Sequence, residues 1–173
     1  MIDFETKKVL FIDLDSTLIK TISGKTFPED ITDFRVQLPV LDKIIDKMPN
    51  LNMFFIVSNQ GGLKTLTDKR LFNSKISAIE SICASYLRSK LNNLLYADNL
   101  YCCSTDKNNT YRKPNTGMLE QLYYNYKYNI DSKDDCIMIG DASGKPGDFS
   151  DSDKKCAENF GIDYIDVRDF LEL

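Results

Sequence analysis

The chain has 173 residues and a formal net charge of −4, which suits one α/β domain and argues against a broadly basic surface for nucleic acid. It contains no histidine, which excludes a Ser-His-Asp triad. Its five cysteines form no Cys-x-x-Cys pair, so we expect free thiols, no zinc site and an intracellular location, without distinguishing nucleus from cytoplasm. We find no signal peptide and no apolar run that could span a membrane.

The first half of the chain predicts alternating strands and helices. We expect a strand at 9–13, a polar loop at 20–35, a helix at 39–47 and a strand at 53–57. A long amphipathic helix is expected to start at Thr67, as its cap, and to reach about residue 90. Its inner side is predicted to carry Leu71, Ile76, Ile79, Ile82, Cys83 and Leu87.

The second half repeats the same alternation. We expect a strand within 94–102, a polar loop at 104–112, a helix at 116–126 and a strand at 136–139. A helix follows from 150 or 151 to 159, ended by Gly161, and then a strand at 162–165 and a terminal helix around 170–171. Repeated βα units predict an α/β, Rossmann-like parallel sheet with helices on both faces, formed by residues 1–173 as a single domain.

Two aspartates follow the first apolar run. Asp13 and Asp15 are spaced i, i+2 after residues 9–12, and Thr17 follows them. Carboxylates this close, at the end of a buried strand, raise each other's pKa, and a divalent cation relieves that repulsion. The pattern therefore indicates a phosphate site assisted by Mg²⁺, although aspartate is also common in ordinary turns.

Two further strands are also followed by polar residues that suit a phosphate. Ser58 precedes Gly61-Gly62, and Asp141 follows the strand at 136–139. Because the carboxyl ends of parallel strands lie along one edge of the sheet, we expect these residues to converge with Asp13 and Asp15. Lys113 stands before Pro114, which favours a loop position from which it can neutralise phosphate.

The order of these residues resembles the four motifs of the haloacid dehalogenase superfamily of phosphohydrolases. The similarity is closer to the 3′-phosphatase branch of polynucleotide kinase/phosphatase and its free-standing relatives. Segments that carry this closer resemblance are 23–28, 33–35, 58–60, 111–118, 140–145, 148–153 and 159–162. The chain departs from the usual pattern at Ser16 (commonly Gly), Phe34 (usually Trp) and Ser58 (commonly Thr).

The resemblance implies a role for each matching residue. Asp13 would be the nucleophile that forms an aspartyl-phosphate, Asp15 the general acid and base, Ser58 a phosphate ligand, and Lys113 the counter-charge. Mg²⁺ would be held by Asp13, the backbone carbonyl of Asp15 and Asp141, with Asp153 as a further candidate. Substrate contacts are expected from Thr17, Asn59, Gln60, Arg112, Lys25 and Arg35.

The lengths between motifs leave no room for a substantial cap domain, so we expect an open site that admits a polymer end. The implied substrate is a nucleic-acid 3′-phosphate end, DNA rather than RNA, in DNA end processing or repair. Lys64, Lys145 and Lys154 are additional candidates for contacts with neighbouring phosphates.

Several alternatives stay open at the level of the sequence. One is a small-molecule phosphatase of the same fold, of the histidinol-phosphate or heptose-bisphosphate type, although the usual zinc loop of Cys and His is missing. Another is a non-catalytic module that binds nucleic-acid ends, and a phosphate-transferring mutase is disfavoured without a cap. Residues 23–26 mimic the end of a P-loop, but the earlier glycine is missing and we expect no ATP binding. A monomer is favoured, although the sequence does not determine the oligomeric state.

Overall fold

A computed structural model describes residues 2–26 and 28–173, so that Phe27 of the 23–28 segment lies outside the described residues. The strands are β1 (Val9–Ile12), β2 (Ile19–Lys20), β3 (Arg35–Val36), β4 (Met53–Asn59), β5 (Tyr96–Cys102), β6 (Cys136–Gly140) and β7 (Asp163–Asp166). The α-helices are α1 (Leu38–Lys47), α2 (Leu66–Lys90), α3 (Gly117–Asn125), α4 (Ser152–Phe160) and α5 (Val167–Glu172).

Five of these strands form one parallel sheet in the order β5-β4-β1-β6-β7. β1 lies in the centre, and its Phe11 is in register with Phe55 of β4 and Met138 of β6. Alternate side chains of the central strands enter two separate apolar clusters, one on each face of the sheet. This explains why those strands are apolar throughout, and it confirms the predicted α/β fold with helices on both faces.

Helices cover the two faces unequally. The cluster that contains Leu10 and Ile12 is closed by α1, α2 and α5, whereas the cluster that contains Phe11 is closed by α3 and α4. Gly161 ends α4 with a φ of 81°, in the left-handed region, as predicted for a glycine stop. None of the helices in the described residues combines the length and the apolar character needed to cross a bilayer.

The region predicted as a polar loop at 20–35 is instead bounded by a small antiparallel ribbon. β2 pairs with β3, and Ile19 is in register with Val36. Strands of two residues are too short to give a period-two pattern, so the sequence prediction missed them. The ribbon and its loop are a short insertion between β1 and α1, in agreement with the absence of a large cap there.

The inner face of α2 differs from the predicted one. Leu71 and Ile82 are about half exposed, at 49% and 51%, so their assignment to the core is wrong. The buried face instead runs through Phe72, Lys75 and Ile76 and continues toward the end of the helix. The helix therefore buries one lysine that a purely apolar pattern does not identify.

The start of α2 provides a test of this description. The cap is Thr65 rather than the predicted Thr67, because the Thr65 hydroxyl accepts from Asp68 N and the Asp68 carboxylate accepts from Thr65 N. We expect Thr65→Ala to lower the free energy of unfolding by about 1 kcal/mol in urea denaturation. The matched variant Thr67→Ala should change it by less than about 0.5 kcal/mol. Equal effects of the two substitutions would contradict the assigned cap.

Candidate active site

The predicted residues converge where three neighbouring strands end. Asp13 follows β1, Ser58 lies near the end of β4, and Asp141 follows β6. β1 lies between β4 and β6, so the strand order runs in one direction from β1 to β4 and β5 and in the other direction to β6 and β7. In open α/β folds, ligands bind at the carboxyl ends of the strands where the strand order reverses in this way.

Lys113 is the centre of a buried ionic cluster. Its Nζ lies 2.5 Å from Asp13 Oδ1 and 2.7 Å from Asp153 Oδ1, and it donates to the carbonyl oxygen of Val57 at 3.0 Å. Lys113 is only 3% exposed, and both carboxylates are buried with it. Charged groups persist in such a place only when they are paired and hydrogen-bonded, so the three side chains depend on one another.

The cluster carries more negative than positive charge. Burial raises the pKa of Asp13 well above its usual range, and the neighbouring Lys113 only partly offsets this. Burial lowers the pKa of Lys113, but Asp13 and Asp153 outweigh that effect, so its pKa is raised and it stays protonated. Burial and the charge of Asp153 raise the pKa of Asp141 to about 6.

Three carboxylates fit a divalent cation that prefers oxygen ligands. One oxygen from each of Asp13, Asp141 and Asp153 lies within 4.8 Å of the others. Such a donor set suits Mg²⁺, and the cation would bring the three carboxylates and Lys113 to overall neutrality. Asp153, predicted only as a further candidate, belongs to this group. The Asp15 carboxylate does not, and the contribution of its backbone carbonyl stays a prediction.

Gln60 connects Asp15, the predicted general acid and base, with Ser58, the predicted phosphate ligand. Its Nε2 donates to Asp15 Oδ2 at 2.6 Å and to Ser58 Oγ at 2.9 Å. The Gln60 backbone N–H donates to the carbonyl of Cys102 at 2.7 Å, which anchors the residue to the end of β5. Asp15 is exposed while Ser58 is buried, so Gln60 bridges the floor and the rim of the site.

Asn59 is hydrogen-bonded to the backbone of Lys113. Its Nδ2 donates to the carbonyl oxygen of Lys113 and its Oδ1 accepts from the Lys113 N–H, each at 3.0 Å. The amide is therefore occupied in fixing the backbone of Lys113 against the end of β4. Asn59 therefore positions Lys113, and its contact with substrate stays a prediction.

Thr17 and Arg112 differ in how accessible they are. Thr17 is completely buried, and its hydroxyl has no hydrogen-bond partner among the described residues. A substrate has no direct access to it, which corrects the predicted contact. Arg112 is partly exposed and donates from Nη1 to the carbonyl of Ser104 at 2.8 Å, so most of its guanidinium donors remain available.

Two cations lie beside Asp15: Lys25 in the loop that joins β2 to β3, here called the ribbon loop, and Arg35 at the start of β3. Asp33 holds this loop together by accepting from the N–H groups of Ile22, Ser23 and Glu29 and from the Ser23 hydroxyl. These bonds lower the pKa of Asp33 to about 2. Lys25, Arg35 and Asp15 line one groove of about 330 Å³, although Lys25 also pairs with Glu29.

Other cations named from the sequence are engaged with acidic partners. Lys145 lies 2.5 Å from Asp169, and Lys154 lies 3.9 Å from Glu158. Asp148 accepts from Ser143 and from the Lys145 N–H, which braces the loop that follows Asp141. Ser16 has a φ of 63°, in the left-handed region, which explains why glycine is favoured at that position.

The close approach of Asp153 to β6 gives a stability test. A Cβ on Gly140 would lie 2.3 Å from Asp153 Oδ2 and 2.8 Å from its Cβ. We expect Gly140→Ala to displace Asp153 and lower the free energy of unfolding by about 1–3 kcal/mol, as measured by chemical denaturation. Gly62→Ala is the control, because a Cβ there meets nothing within 4 Å. A Gly140→Ala protein as stable as Gly62→Ala would contradict the geometry.

Comparison with known proteins gives consistent matches. Residues 8–170 match the model of the family described as polynucleotide kinase 3 phosphatase. The chain is 36% identical over 170 residues to the bifunctional polynucleotide phosphatase/kinase of Schizosaccharomyces pombe, covering 96% of this chain and 38% of that protein. It is 28% identical over 172 residues to the histidine biosynthesis bifunctional protein HisB of Legionella pneumophila, covering 93% and 41%. The chain thus spans about two fifths of the length of these relatives.

A solved structure shares the fold. The D,D-heptose 1,7-bisphosphate phosphatase of B. bronchiseptica, complexed with magnesium and phosphate, superposes with a TM-score of 0.55 at 17% identity. The match covers 95% of this chain and 96% of that one, and at this identity it concerns the fold alone. The sequence-based resemblance to the 3′-phosphatase branch of polynucleotide kinase/phosphatase is confirmed. The chain belongs to the polynucleotide kinase 3 phosphatase family.

Proposed function

We propose that this chain is a Mg²⁺-dependent phosphatase that removes the 3′-phosphate from DNA ends, through an aspartyl-phosphate at Asp13, in DNA end processing or repair. The observation that carries the proposal is the buried contact of Lys113 with Asp13, inside a group of three carboxylates that fits a divalent cation. Family membership supports the same conclusion from the sequence.

The first step transfers the phosphoryl group to the enzyme. A carboxylate oxygen of Asp13 forms a bond to phosphorus while the bond from phosphorus to the 3′-oxygen breaks. The leaving oxygen takes a proton from Asp15, which reaches the site from its exposed rim and is oriented by the Gln60 amide. The products of this step are a free 3′-hydroxyl and an aspartyl-phosphate.

The second step regenerates the enzyme. Asp15, now a carboxylate, takes a proton from a water molecule, and the water oxygen attacks phosphorus as its bond to Asp13 breaks. Inorganic phosphate leaves, and Asp15 is protonated again for the next turnover. The exposed position of Asp15 supports this exchange, because water reaches it directly.

The remaining residues of the site stabilise charge. Lys113 neutralises part of the charge of Asp13 and the phosphoryl group, and Asp153 keeps Lys113 in place at 2.7 Å. Ser58 and nearby N–H groups receive the phosphate oxygens. Mg²⁺ held by Asp13, Asp141 and Asp153 would supply Lewis-acid stabilisation of the transferring group.

An end of a nucleic acid suits the surroundings of this site. Residues between β1 and α1 form only a ribbon and its loop, and residues between β4 and Lys113 form α2, β5 and connecting loops. The groove beside Asp15 carries Lys25 and Arg35, both predicted to contact substrate, in a chain whose net charge is negative. The DNA preference, the intracellular location and the single domain over 1–173 stay predictions within this proposal.

A small-molecule phosphatase is the second candidate. The 28% identity to a histidine biosynthesis protein favours it, because that match also covers nearly the whole of this chain. The two candidates share the chemistry of Asp13 and differ in what surrounds the phosphate, so substrates of different size separate them.

Phosphate release from matched substrates tests the proposal. We expect Mg²⁺-dependent release from a 3′-phosphorylated DNA oligonucleotide, little from its 5′-phosphorylated counterpart or from histidinol phosphate, and loss of release in EDTA. Asp13→Asn should lower kcat by at least about 10³-fold, because it removes the nucleophile. Asp46→Asn, on the exposed surface of α1, is the matched control.

Each other outcome has a distinct meaning. Preference for histidinol phosphate would replace the substrate and keep the chemistry. Binding of the oligonucleotide without phosphate release would favour the non-catalytic module. An Asp13→Asn protein with wild-type release and a wild-type thermal melt would contradict the proposed nucleophile.

A further inference from the structure

Lys75 is a buried cation that the proposed chemistry does not use. It lies on the inner face of α2, one turn from Phe72 and one turn from Ile79, and is 6% exposed. The apolar stem of Lys75 is buried, whereas its Nζ is not among the fully buried polar atoms that lack a hydrogen-bond partner. A partner of opposite charge is favourable for an ammonium group in such a partly desolvated position. Burial accordingly lowers the pKa of Lys75, and the more distant charges of Asp15, Asp33 and Asp30 only oppose this effect.

The expected compensating partner is missing from the described residues. Within residues 2–26 and 28–173, Lys75 takes part in no ion pair and donates no hydrogen bond, whereas Lys113, the other lysine of the site, has three partners. The contact that Lys75 does make is with Phe34, whose ring centroid lies 5.1 Å from Nζ. An aromatic face attracts a cation weakly and leaves the other donors of the ammonium group unused.

Lys75 lines the groove beside Asp15. The same groove is also lined by Lys20, Lys25 and Arg35. Lys20 and Arg35 are exposed and, within the described ranges, form no ion pair, while the Asp33 carboxylate in the same groove is already saturated by the ribbon loop. Lys20, Arg35 and Lys75 therefore line the groove without an acidic partner among the described residues, so they can bind an anion there. The groove begins at Asp15, the residue proposed to protonate the leaving 3′-oxygen.

We propose that Lys75 binds the phosphodiester that joins the terminal nucleotide to its neighbour, so that the strand leaves the catalytic centre along this groove. The inference rests on the proposed function, because only a polynucleotide substrate supplies that phosphodiester. A phosphate oxygen is a strong acceptor for an ammonium group and supplies the charged partner that Lys75 lacks among the described residues. Phe34 then acts as a positioning residue that holds the Lys75 side chain beneath the groove.

A substrate-modification cycle tests this contact directly. The substrate is a 3′-phosphorylated DNA oligonucleotide in which a neutral methylphosphonate replaces the single phosphodiester next to the 3′ end. For the wild-type chain we expect kcat/KM to fall roughly 10- to 100-fold on this replacement, as is typical for loss of a charge-assisted contact. For Lys75→Met, which keeps the buried apolar stem, the same replacement should change kcat/KM by less than about 2-fold, because the partner is already gone.

The control variant is Lys90→Met, at the exposed end of the same helix, which should respond to the methylphosphonate as the wild-type chain does. If Lys75 had only a structural role, Lys75→Met would lower kcat/KM on both oligonucleotides by the same factor. The variant would then stay as sensitive to the methylphosphonate as the wild-type chain, and this result would overturn the inference. Equal kcat/KM of the wild-type chain on the two oligonucleotides would overturn it as well. If the wild-type chain releases no phosphate from the unmodified oligonucleotide, the proposed function fails first, and the two failures are thereby distinguished.

Discussion

The contact of Lys113 with Asp13 and Asp153 is the constraint on which the rest of the site depends. The three residues come from a loop before α3, from the end of β1 and from α4, and they meet in a place almost without solvent. Removing Lys113 would leave the carboxylates of Asp13 and Asp153 as buried charges without that partner, which costs about 3–5 kcal/mol. The fold serves this contact at two points: Gly140 leaves space for Asp153, and Asn59 fixes the backbone of Lys113.

The shared fold does not decide the substrate. A heptose-bisphosphate phosphatase has a similar fold at 17% identity, and a histidine biosynthesis protein is a relative in sequence. Because the fold does not fix the substrate, we look for the basis of substrate choice on the surface that receives the rest of the substrate. The groove between the ribbon loop and α2, with Lys75 beneath it, is the part of the structure that would discriminate a polymer from a small metabolite.

Much of the site could be predicted from the sequence, because Asp13, Ser58 and Asp141 lie at the ends of apolar strands and Lys113 precedes a proline. The contact of Asn59 with the Lys113 backbone could not be predicted, because it depends on a partner 54 residues away in the chain. Lys75 was missed because an apolar pattern placed the inner face of α2 through Leu71 and Ile82, and a lysine gives no apolar signal. The cap of α2 could have been predicted correctly, since Thr65 and Asp68 have the spacing of a capping box, although Thr67 was chosen instead.

The central claim is that the buried ionic cluster around Lys113 holds Asp13 in place as the residue that accepts the phosphoryl group. The most direct measurement is mass spectrometry of the chain, acid-quenched during turnover of a 3′-phosphorylated oligonucleotide with Mg²⁺ and digested into peptides. The account predicts the added mass of one phosphoryl group on the peptide that contains Asp13, and on no other peptide. Phosphate release without a modified Asp13 peptide, or with the phosphoryl group on a different residue, would contradict it.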